Sequence, residues 1–489
     1  MDEAYAVAPI RDAEQAAIAA VGEDALMQRA ARGLADVIAE HLSRTRGGVA
    51  GARIVLLAGP GNNGGDGLFA AARLAGLGAT VQVWRSQEQV HAAGWRTLLD
   101  AGGMQLGGDA EAGAAAIADA DVVVDALLGI GGRPGLRDAA AELARLVGPK
   151  PPAWTVAVDV PSGIAVDAPF AVLRGADAVP HLEADTTVTF GGRKLCQVLQ
   201  PGRAACGRVV VVDIGLPAMP AAVRCWNAAD VASIWPVPTA DDDKYSRGTV
   251  GIDTGSPRYP GAAVLSTLGA LYSGAGFIRF DGAEAAKQAV LMRAPSVTYG
   301  VGRVSAWVLG CGWDDRKFNR DRLTARLSDG VPCVLDASAL RLLTSADIVL
   351  PSGCLLTPHA GELARLLNVT REQVQANPIV AARAAADRFV ATVLLKGSTQ
   401  IVATPGEAVV QLAVPGPAWT AQAGSGDTLA GVAGSLLAAG LSAAVAGVAA
   451  ASIQALVASG HPGPYPPDVM ATRLPGTIRR LTRPHQQKR

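Results

Sequence analysis

Short runs of β-branched and other apolar residues alternate with alanine-rich stretches of helical length in the first half of the chain, and this alternation constrains the fold most strongly. Strands separated by helices form parallel sheets, because a parallel pair needs a long crossover connection. The predicted strands are 53–58 "RIVLLA", 79–85 "ATVQVWR", 121–127 "DVVVDAL", 154–160 "WTVAVDV", 186–190 "TTVTF" and 207–214 "GRVVVVDI". They predict an α/β fold with a largely parallel, doubly wound sheet.

The second half repeats this alternation after a looser stretch. Residues 217–243 are rich in proline and end in an acidic run, which is typical of a domain junction. A chain of 489 residues is also too long for one ordinary core. We therefore predict two α/β domains, at 1–220 and 244–489, joined by a linker at 221–243.

Net charge and cysteine spacing limit the classes of binding partner and the cellular compartment that we expect. The 43 basic and 43 acidic residues cancel, so no electrostatic attraction favours nucleic acid or an anionic membrane. The six cysteines are scattered without a CxxC pair, which fits a reduced cytoplasmic protein rather than a disulfide frame or a zinc site. The N-terminal residues lack the apolar core of a signal peptide. We expect a cytoplasmic protein with neither nucleic acid nor membrane as a partner.

One uncharged stretch, Thr428–Gly460, is long enough to span a bilayer. Its composition is mostly alanine and glycine, and "AAGLSAA" around Gly440 indicates a break between two helices. A buried pair of helices is therefore the prediction.

A glycine-rich turn, "GPGNNGGDG" at 59–67, follows the first predicted strand and precedes a helical pattern. Glycines let the backbone approach a ligand closely, and a helix N-terminus offers free N–H donors. A turn that needs only flexibility does not explain Asn62, Asn63 and Asp66. Carboxamide and carboxylate oxygens suit ribose hydroxyls or a monovalent cation better than phosphate, which an aspartate would repel.

Two further strand ends supply matching oxygens. Asp125 closes a strand that leads into a second glycine-rich loop, and Asp159 and Ser162 lie in "VDVPSG" at the end of another. Ligands of open α/β sheets gather outside the carboxyl ends of the strands. The three loops together predict one binding site.

The sharpest motif of the second half is "AGSGDTLAG" at 423–431. Gly424, Ser425 and Gly426 place backbone N–H groups at the start of a long helix, where they form an anion hole. Asp427 follows at once, placed to take a proton from a hydroxyl that attacks a phosphoryl group. The alternative is an aspartate that only caps the helix.

Three other loops support a ligand site in the second half. His359 lies in "LLTPHAGELARLL", where Glu362 helps to start a helix, and a structural role for the histidine is the alternative to contact with a ligand. Lys396 and Gly397 lie at a turn between strands and suit a nucleotide, although the lysine could equally be a surface residue. The segment "VLGCGWDD" gives another glycine-containing loop after a strand.

The motifs "GPGNNGGDG", "DALLGIG", "VDVPSG" and "TVTFGGRK" resemble the NAD(P)H-hydrate epimerase domain over roughly residues 5–215. The resemblance implies a Rossmann-like fold and a potassium ion ligated by Asn63, Asp125 and Ser162. It implies catalysis by Asp159, with Lys194 as a second polar group. The implied substrate contacts are Asn62, Asn63, Gly64, Gly65, Asp66, Gly129, Ile130, Gly131, Gly132, Arg133, Pro134, Gly135 and Asp159. The early "LMQRAARG" departs from the Met-Glu-Asn-Ala-Gly-like run of that family.

The segments "YPGAA", "SGAG", "LTPHAGE", "LLKGSTQ" and "GSGDTLAG" resemble the ADP-dependent NAD(P)H-hydrate dehydratases of the ribokinase-like superfamily, over roughly residues 240–470. The resemblance implies catalysis by Asp427 and contacts of Gly312, His359 and Asp427 with the hydrate. The implied nucleotide contacts are Lys396, Gly397, Ser398, Thr399, Gln400, Gly424, Ser425 and Gly426. Two departures stand out: "GCGWD" replaces Gly-Pro-Gly-Leu-Gly, and "DAS" replaces Asp-Ala-Asp.

Together the resemblances imply a nicotinamide nucleotide repair enzyme. Its first domain would epimerise the R and S forms of hydrated NADH and NADPH, with K⁺. Its second domain would dehydrate the S form at the expense of ADP, with Mg²⁺, giving AMP and phosphate. Small-molecule substrates and a homo-oligomeric assembly are expected. The alternative is a ribokinase-like kinase for a vitamin or sugar, fused to a non-catalytic nucleotide-binding scaffold.

Overall fold

The computed structural model describes residues 1–168, 178–314, 319–344 and 348–486, with side chains as far as residue 483. The chain forms two compact units. The N-terminal unit comprises Glu3–Ala222, and the C-terminal unit comprises Val223–Arg489 together with Met1–Asp2.

The N-terminal unit is built on a parallel sheet in the order β4-β3-β2-β5-β6-β7-β9. The strands to β9 are β1 Asp2–Tyr5, β2 Arg53–Ala58, β3 Thr80–Arg85, β4 Met104–Gln105, β5 Val122–Ala126, β6 Trp154–Val158, β7 Thr186–Phe190, β8 Arg193–Lys194 and β9 Arg208–Val212. The helices are α1 Val7–Val21, α2 Glu23–Arg46, α3 Asn62–Gly76, α4 Ala92–Asp100, α5 Ala110–Ala118, α6 Asp138–Val147 and α7 Gly202–Cys206.

The residues of each central strand alternate between two cores. On β2, Ile54 and Leu56 join the cluster that contains α2 and α3. Val55 and Leu57 face the opposite side, in the cluster that contains α5 and α6. This period of two, with helices over both faces, confirms the predicted doubly wound α/β fold.

The chain order of this sheet reverses at β2. From β2 the chain runs outward through β3 and β4, then returns to place β5 on the other side of β2. The glycine-rich turn after β2 and the loop after β5 therefore border the crevice where ligands of such sheets bind.

The C-terminal unit has a sheet in the order β13-β12-β11-β14-β15-β16-β17-β18-β19-β10. Its strands are β10 Val223–Cys225, β11 Thr249–Asp253, β12 Phe277–Phe280, β13 Thr298–Tyr299, β14 Ala306–Leu309, β15 Cys333–Leu335, β16 Leu355–Leu356, β17 Thr392–Leu395, β18 Ile401–Ala403 and β19 Val410–Leu412. Neighbours from β13 to β17 are parallel, whereas β17, β18 and β19 run antiparallel.

The C-terminal unit is again an α/β unit, with twelve α-helices in the described part of the chain. The helices are α8 Ala228–Ile234, α9 Pro260–Tyr272, α10 Glu284–Arg293, α11 Asn319–Leu327, α12 Ser338–Leu342, α13 Ala360–Leu367, α14 Arg371–Ala376, α15 Pro378–Phe389, α16 Ser425–Ala438, α17 Ala443–Gly460, α18 Pro467–Ala471 and α19 Leu474–Gln486. Much of α16 and α17 is buried, and the chain turns between them at Gly440, whose φ is 90°. Helix α17 is long and apolar enough to cross a membrane, and 67% of it is buried inside the unit.

The stretch that the sequence marks as a linker carries regular structure. β10 pairs with β19, and Asn227 caps α8 by accepting hydrogen bonds from two backbone amides of its first turn. Trp226, Val231 and Trp235 enter the core of the C-terminal unit. The compact C-terminal unit therefore includes this segment from Val223 onward.

Two candidate active sites

A cavity of about 460 Å³ opens at the carboxyl ends of β2 and β5 in the N-terminal unit. Many predicted residues line it, namely Asn62, Asn63, Asp66, Gly129, Ile130, Gly131, Gly132 and Asp159. Gly64 and Gly65 are buried in the first turn of α3 and do not line the cavity. Arg133, Pro134 and Gly135 continue the loop away from the lining. The structure thus brings the three oxygen-rich loops to one cavity.

Helices α1 and α2 supply wall residues that the sequence reasoning missed. Arg11 and Glu14 line the cavity from α1, and Met27 and Ala30 line it from α2. Their spacing of three residues puts each pair on one helix face. This three-residue spacing can be read from the sequence. It is the same for a helix face that lines a cavity and for one that packs in the core.

Asp125 is a fully buried carboxylate that Ser162 holds in place. Its two oxygens accept hydrogen bonds from the Ser162 amide at 2.8 Å and from the Ser162 hydroxyl at 2.6 Å. Burial raises the pKa of Asp125 to about 6, although these hydrogen bonds oppose the rise. No lysine or arginine of the described segments forms an ion pair with Asp125. The carboxylate therefore lacks a protein counter-charge there.

Asn63 adds an unsatisfied group to the same region. Its buried Nδ2 atom has no hydrogen-bond partner in the described part of the chain, which is costly for a buried amide. Its Oδ1 lies beside Gly129, 3.2 Å from where a β-carbon on that glycine would stand. A turn of the carboxamide exchanges its nitrogen and oxygen positions. With Asp125 and Ser162, this donor set fits a monovalent cation, which would satisfy the orphaned position and offset the carboxylate charge.

Asp159 presents its carboxylate to the cavity from a sharply constrained backbone. Its φ is 65°, and its carbonyl oxygen accepts a hydrogen bond from Gln197 at 2.8 Å. Lys194 lies behind it, 1% exposed, and its Nζ donates to Asp159 Oδ1 at 2.5 Å, Thr189 Oγ1 at 2.8 Å and Phe190 O at 2.9 Å. All three ammonium donors are thereby used, so Lys194 acts on the cavity only through Asp159.

Two further acids share this cavity with Asp159. Burial, followed by repulsion from Asp159 and Glu14, raises the pKa of Asp66 well above its usual range. Burial and repulsion from Asp159 likewise raise the pKa of Glu14, while Lys194 and Arg11 oppose the rise. The cavity thus combines a lysine-paired carboxylate with two acids whose pKa values are raised.

The second candidate site lies at the start of α16 in the C-terminal unit. Gly424 precedes the helix with a φ of 91°, a left-handed conformation that favours glycine. The Ser425 amide bonds to Gln422 O, while the amides of Gly426 and Asp427 have no hydrogen bond to any described residue. These two free N–H groups and the positive end of the helix dipole form an anion site.

Asp427 lies beside Asp336, Lys396 and Cys311. Burial and repulsion from Asp336 raise the pKa of Asp427 to about 7, against the opposing effect of Lys396. Lys396 Nζ donates to Asp336 Oδ1 at 2.6 Å. Burial lowers the pKa of Lys396, but the carboxylates of Asp336 and Glu362 outweigh this effect and raise it. Lys396 is thus held as a cation by Asp336, and it stands within reach of Gly426.

The two departures from the dehydratase pattern meet in this site. Asp336 and Ser338 belong to "DAS", and the Ser338 hydroxyl donates to Trp313 O at 2.8 Å in the "GCGWD" loop. Trp313 in turn donates from Nε1 to Asp253 O at 2.9 Å. The serine that replaces the second acid therefore ties two loops of the site together. Sequence reasoning noted the missing acid and overlooked the retained one, Asp336.

Gly312 and His359 occupy two separate loops of the C-terminal unit. A β-carbon on Gly312 would lie 2.4 Å from Ala262 Cβ, so this loop packs directly on the start of α9. His359 Nδ1 accepts a hydrogen bond from the Gly361 amide at 3.0 Å and caps α13, while Glu362 accepts one from the His359 amide at 2.9 Å. The other ring nitrogen, Nε2, lies 3.6 Å from Glu362 Oε2, and the His359 side chain is 54% exposed.

The loop from Lys396 to Gln400 joins β17 to β18, as the sequence predicts for a turn between strands. Gly397 and Ser398 are exposed, and Thr399 is half-buried. The buried Oε1 atom of Gln400 has no hydrogen-bond partner among the described residues. A ligand N–H or O–H group would satisfy this acceptor.

An apolar pocket adjoins the first turn of α16. Trp419, Val432, Tyr465 and Met470 are among its lining residues, with Ser425 at its edge. Gln454 also lines it and donates to Ser425 O at 2.9 Å. This pocket is small, with a volume of about 30 Å³, and it places apolar surface beside the free amides of α16. Of its residues only Ser425 was predicted to contact a ligand, and most of the others come from segments without a sequence motif.

Two families match the chain over most of its length. Residues 23–196 match the family described as YjeF-related protein N-terminus, and residues 250–479 match the NAD(P)H-hydrate dehydratase family. The bifunctional NAD(P)H-hydrate repair enzyme of Mycobacterium leprae is 40% identical over 487 residues, covering 97% of this chain and 98% of that protein. The enzyme of the same name from Moorella thermoacetica is 33% identical, covering 86% and 85% of the two chains.

Among solved structures, a ribokinase-like superfamily protein from Enterococcus faecalis is similar with a TM-score of 0.50 at 20% identity. The match covers 55% of this chain and 99% of that one. It supports the ribokinase-like fold predicted for the second half of the chain.

Proposed function

The chain belongs to the bifunctional NAD(P)H-hydrate repair enzymes, and from that membership we propose how its residues share the repair of hydrated NADH and NADPH. The N-terminal unit is an epimerase that interconverts the R and S hydrates. The C-terminal unit is a dehydratase that converts the S hydrate to NAD(P)H at the expense of ADP, giving AMP and phosphate. This membership favours repair over a vitamin or sugar kinase fused to a scaffold.

Epimerisation requires that a bond at the hydroxyl-bearing ring carbon break and form again on the other face. Asp159 is the group proposed to move the proton, because it lines the cavity while Lys194 occupies its Oδ1 atom from behind. Lys194 is therefore a positioning residue. The loops of Asn62, Asp66 and Gly129–Gly132 would hold the nucleotide, which matches their place in the lining.

Asn63, Asp125 and Ser162 are proposed to hold K⁺ beside this cavity. The buried carboxylate and the orphaned carboxamide position support this assignment. The ion would supply a fixed positive charge near the loops that contact the substrate. Proton transfer itself remains with Asp159.

Dehydration is proposed to proceed by phosphoryl transfer. Asp427 takes the proton of the hydrate hydroxyl, whose oxygen forms a bond to the terminal phosphorus of ADP while AMP leaves. The carbon–oxygen bond then breaks, phosphate leaves with the bonding electrons, and loss of the adjacent ring proton restores the dihydropyridine. The amides of Gly426 and Asp427 would stabilise charge on the phosphoryl oxygens, and Lys396 adds a cation beside them. ADP would enter as its Mg²⁺ complex, with the ion carried by the phosphates.

The nucleotide is proposed to bind between the 396–400 loop and the start of α16. The unpartnered Gln400 Oε1 and the free amides of Gly426 and Asp427 support that placement. Gly312 and His359 would contact the hydrated substrate, His359 through its exposed imidazole.

The observation that carries the dehydratase proposal is the position of Asp427 in the same first helical turn as the free amides. Asp427→Asn keeps the shape of the side chain and removes the base. With MgADP and the separated S hydrate, the variant should lose about 10²- to 10⁴-fold in rate, followed by absorbance of the reduced nicotinamide and by AMP release. The melting curve of the variant serves as the control for folding of the C-terminal unit, and epimer exchange on the same sample serves as the control for the N-terminal unit. Dehydration at a near-normal rate would contradict the proposed role.

A further inference from the structure

Three side chains of different elements meet on the floor of the dehydratase site. Cys311 follows β14, Asp336 follows the neighbouring strand β15, and Asp427 begins α16. One sulfur and two carboxylate oxygens from these residues all lie within 4.8 Å of one another. Cys311 Sγ is 3.8 Å from Asp336 Oδ2. The Cys311 side chain is completely buried and faces both Asp336 and Asp427, so its sulfur belongs to this site.

The donor types distinguish among divalent cations. Mg²⁺ takes a shell of oxygens and keeps several waters, so a sulfur ligand does not suit it. A thiolate combined with carboxylates suits Zn²⁺ and its thiophilic analogues Co²⁺ and Cd²⁺. The residue that makes the difference is Cys311.

The geometry and charge also suit such an ion. Tetrahedral zinc with one sulfur and two oxygen ligands needs these atoms about 3.5 Å apart, which small side-chain rotations reach from the observed spacing. A thiolate and two carboxylates give three negative charges, of which Lys396 offsets one through Asp336. The remaining two match a divalent cation. Three protein ligands leave a fourth position for water or a phosphate oxygen.

We propose that Cys311, Asp336 and Asp427 form a site for a thiophilic divalent cation of the Zn²⁺ class, and that occupancy of this site blocks the dehydratase. Binding exchanges the thiol proton, together with any proton on the Asp427 carboxyl, for the metal, and these protons are released to solvent. The ion then holds the Asp427 carboxylate that would otherwise accept the substrate's proton. The epimerase cavity is built from other residues and stays active.

Metal binding is tested on the full-length protein, independently of catalysis. Co²⁺ titrated into the chelator-treated protein should produce a thiolate-to-cobalt charge-transfer band with one ion per chain. Cys311→Ala should abolish that band, while Cys354→Ala, which removes another buried thiol of the same unit, should leave it intact. Calorimetric titration with Zn²⁺ should show affinity at least about tenfold lower for Cys311→Ala than for the control.

The blocking effect rests on the proposed role of Asp427 and has its own assay. Dehydration of the S hydrate is followed at fixed MgADP with free Zn²⁺ set by a metal buffer, because ADP itself binds zinc. Each variant is compared with its own metal-free rate. Half-inhibition of Cys311→Ala should require at least about tenfold more free Zn²⁺ than that of Cys354→Ala. Epimer exchange in the same samples should not respond to Zn²⁺.

Each negative result contradicts a different part of the proposal. Absence of a stoichiometric cobalt band, or its survival in Cys311→Ala, would overturn the site. A normal cobalt band with a dehydratase indifferent to bound Zn²⁺ would overturn the blocking effect. Loss of dehydratase activity in every metal-free sample would count against the proposed function, and the cobalt band would still decide the metal site.

Discussion

The pH dependence of dehydration tests the electrostatics of the C-terminal site in detail. The proposed base, Asp427, must be ionised to accept a proton, and its pKa is about 7. Activity is therefore present above that pKa and is lost as the pH falls through it. With one titrating group, roughly a tenth of the enzyme is active at about pH 6 and nine-tenths at about pH 8. The value of kcat/KM should thus rise about ninefold between these two pH values.

Asp336 supplies the perturbation, since its carboxylate is one cause of the raised pKa of Asp427. The ligand atoms lie within 4.8 Å, where two unit charges interact by roughly 3 kcal/mol at an effective dielectric constant of about 20. Lys396 neutralises part of that charge in the wild type, which reduces the effect. Asp336→Asn removes the repulsion and also frees Lys396 to approach Asp427. Both changes lower the pKa of Asp427. The pH profile of dehydration should therefore move by about one pH unit or more toward acid pH.

The assay isolates the base from other titrations. Dehydration of the pure S hydrate is measured at several pH values in the Asp159→Asn background, which removes epimerisation, with excess MgADP and metal-scrubbed buffers. Asp321→Asn, which changes an exposed acid of α11, serves as the matched control and should leave the profile unchanged. A flat profile between pH 6 and 8, or a shift of Asp336→Asn toward alkaline pH, would refute the reasoning.

Three further predictions concern the N-terminal unit. K⁺ should raise the melting temperature and the epimerisation rate more at about pH 8 than at about pH 5, because it competes with protonation of Asp125, whose pKa is about 6; an equal response of Asp125→Asn would contradict the site. Lys194→Met should destabilise the fold by about 3–5 kcal/mol in urea unfolding, since it strands the buried Asp159 carboxylate; an unchanged stability would remove Lys194 from its positioning role. Gly64→Ala places a β-carbon 2.1 Å from Gly59 O and should cost about 1–3 kcal/mol, whereas Gly76→Ala in the same helix has open space and should cost nothing; equal effects would contradict the packing argument.

The strands of the N-terminal unit follow directly from the sequence, because a buried parallel strand needs a continuous β-branched run. The runs at 53–58 and 186–190 match their strands from first residue to last. Short strands were not predicted: β1, β10 and β19 have few residues and owe their strand conformation to a partner. The same cause applies to the segment predicted as a linker, 221–243, because its strand β10 is recognisable only beside β19.

The residues of the candidate sites also differ in how well the sequence predicts them. Asn63 and Asp427 could be predicted as site residues because each lies in a glycine-rich loop at the start of a helix. Such loops are typical of ligand-binding sites. Glu14 and Gln454 could not, because they lie on helices whose pattern reports burial alone. Asp336 was visible in the sequence, but its role depends on a 2.6 Å ion pair with a lysine 60 residues away. Lys194 shows the opposite case, since its motif predicted a catalytic residue, whereas its hydrogen bonds to Asp159, Thr189 and Phe190 could be seen only in the structure.

The central claim is that the N-terminal unit supplies the C-terminal unit with the epimer it can dehydrate. The most direct measurement starts from the separated R hydrate with MgADP and follows R hydrate, S hydrate and NADH together by chromatography, for the wild type and for Asp159→Asn. The wild type should convert R hydrate completely to NADH through a transient S hydrate. Asp159→Asn should consume added S hydrate at the wild-type rate while R hydrate disappears only at its spontaneous rate. Consumption of R hydrate by Asp159→Asn as fast as by the wild type would contradict the account.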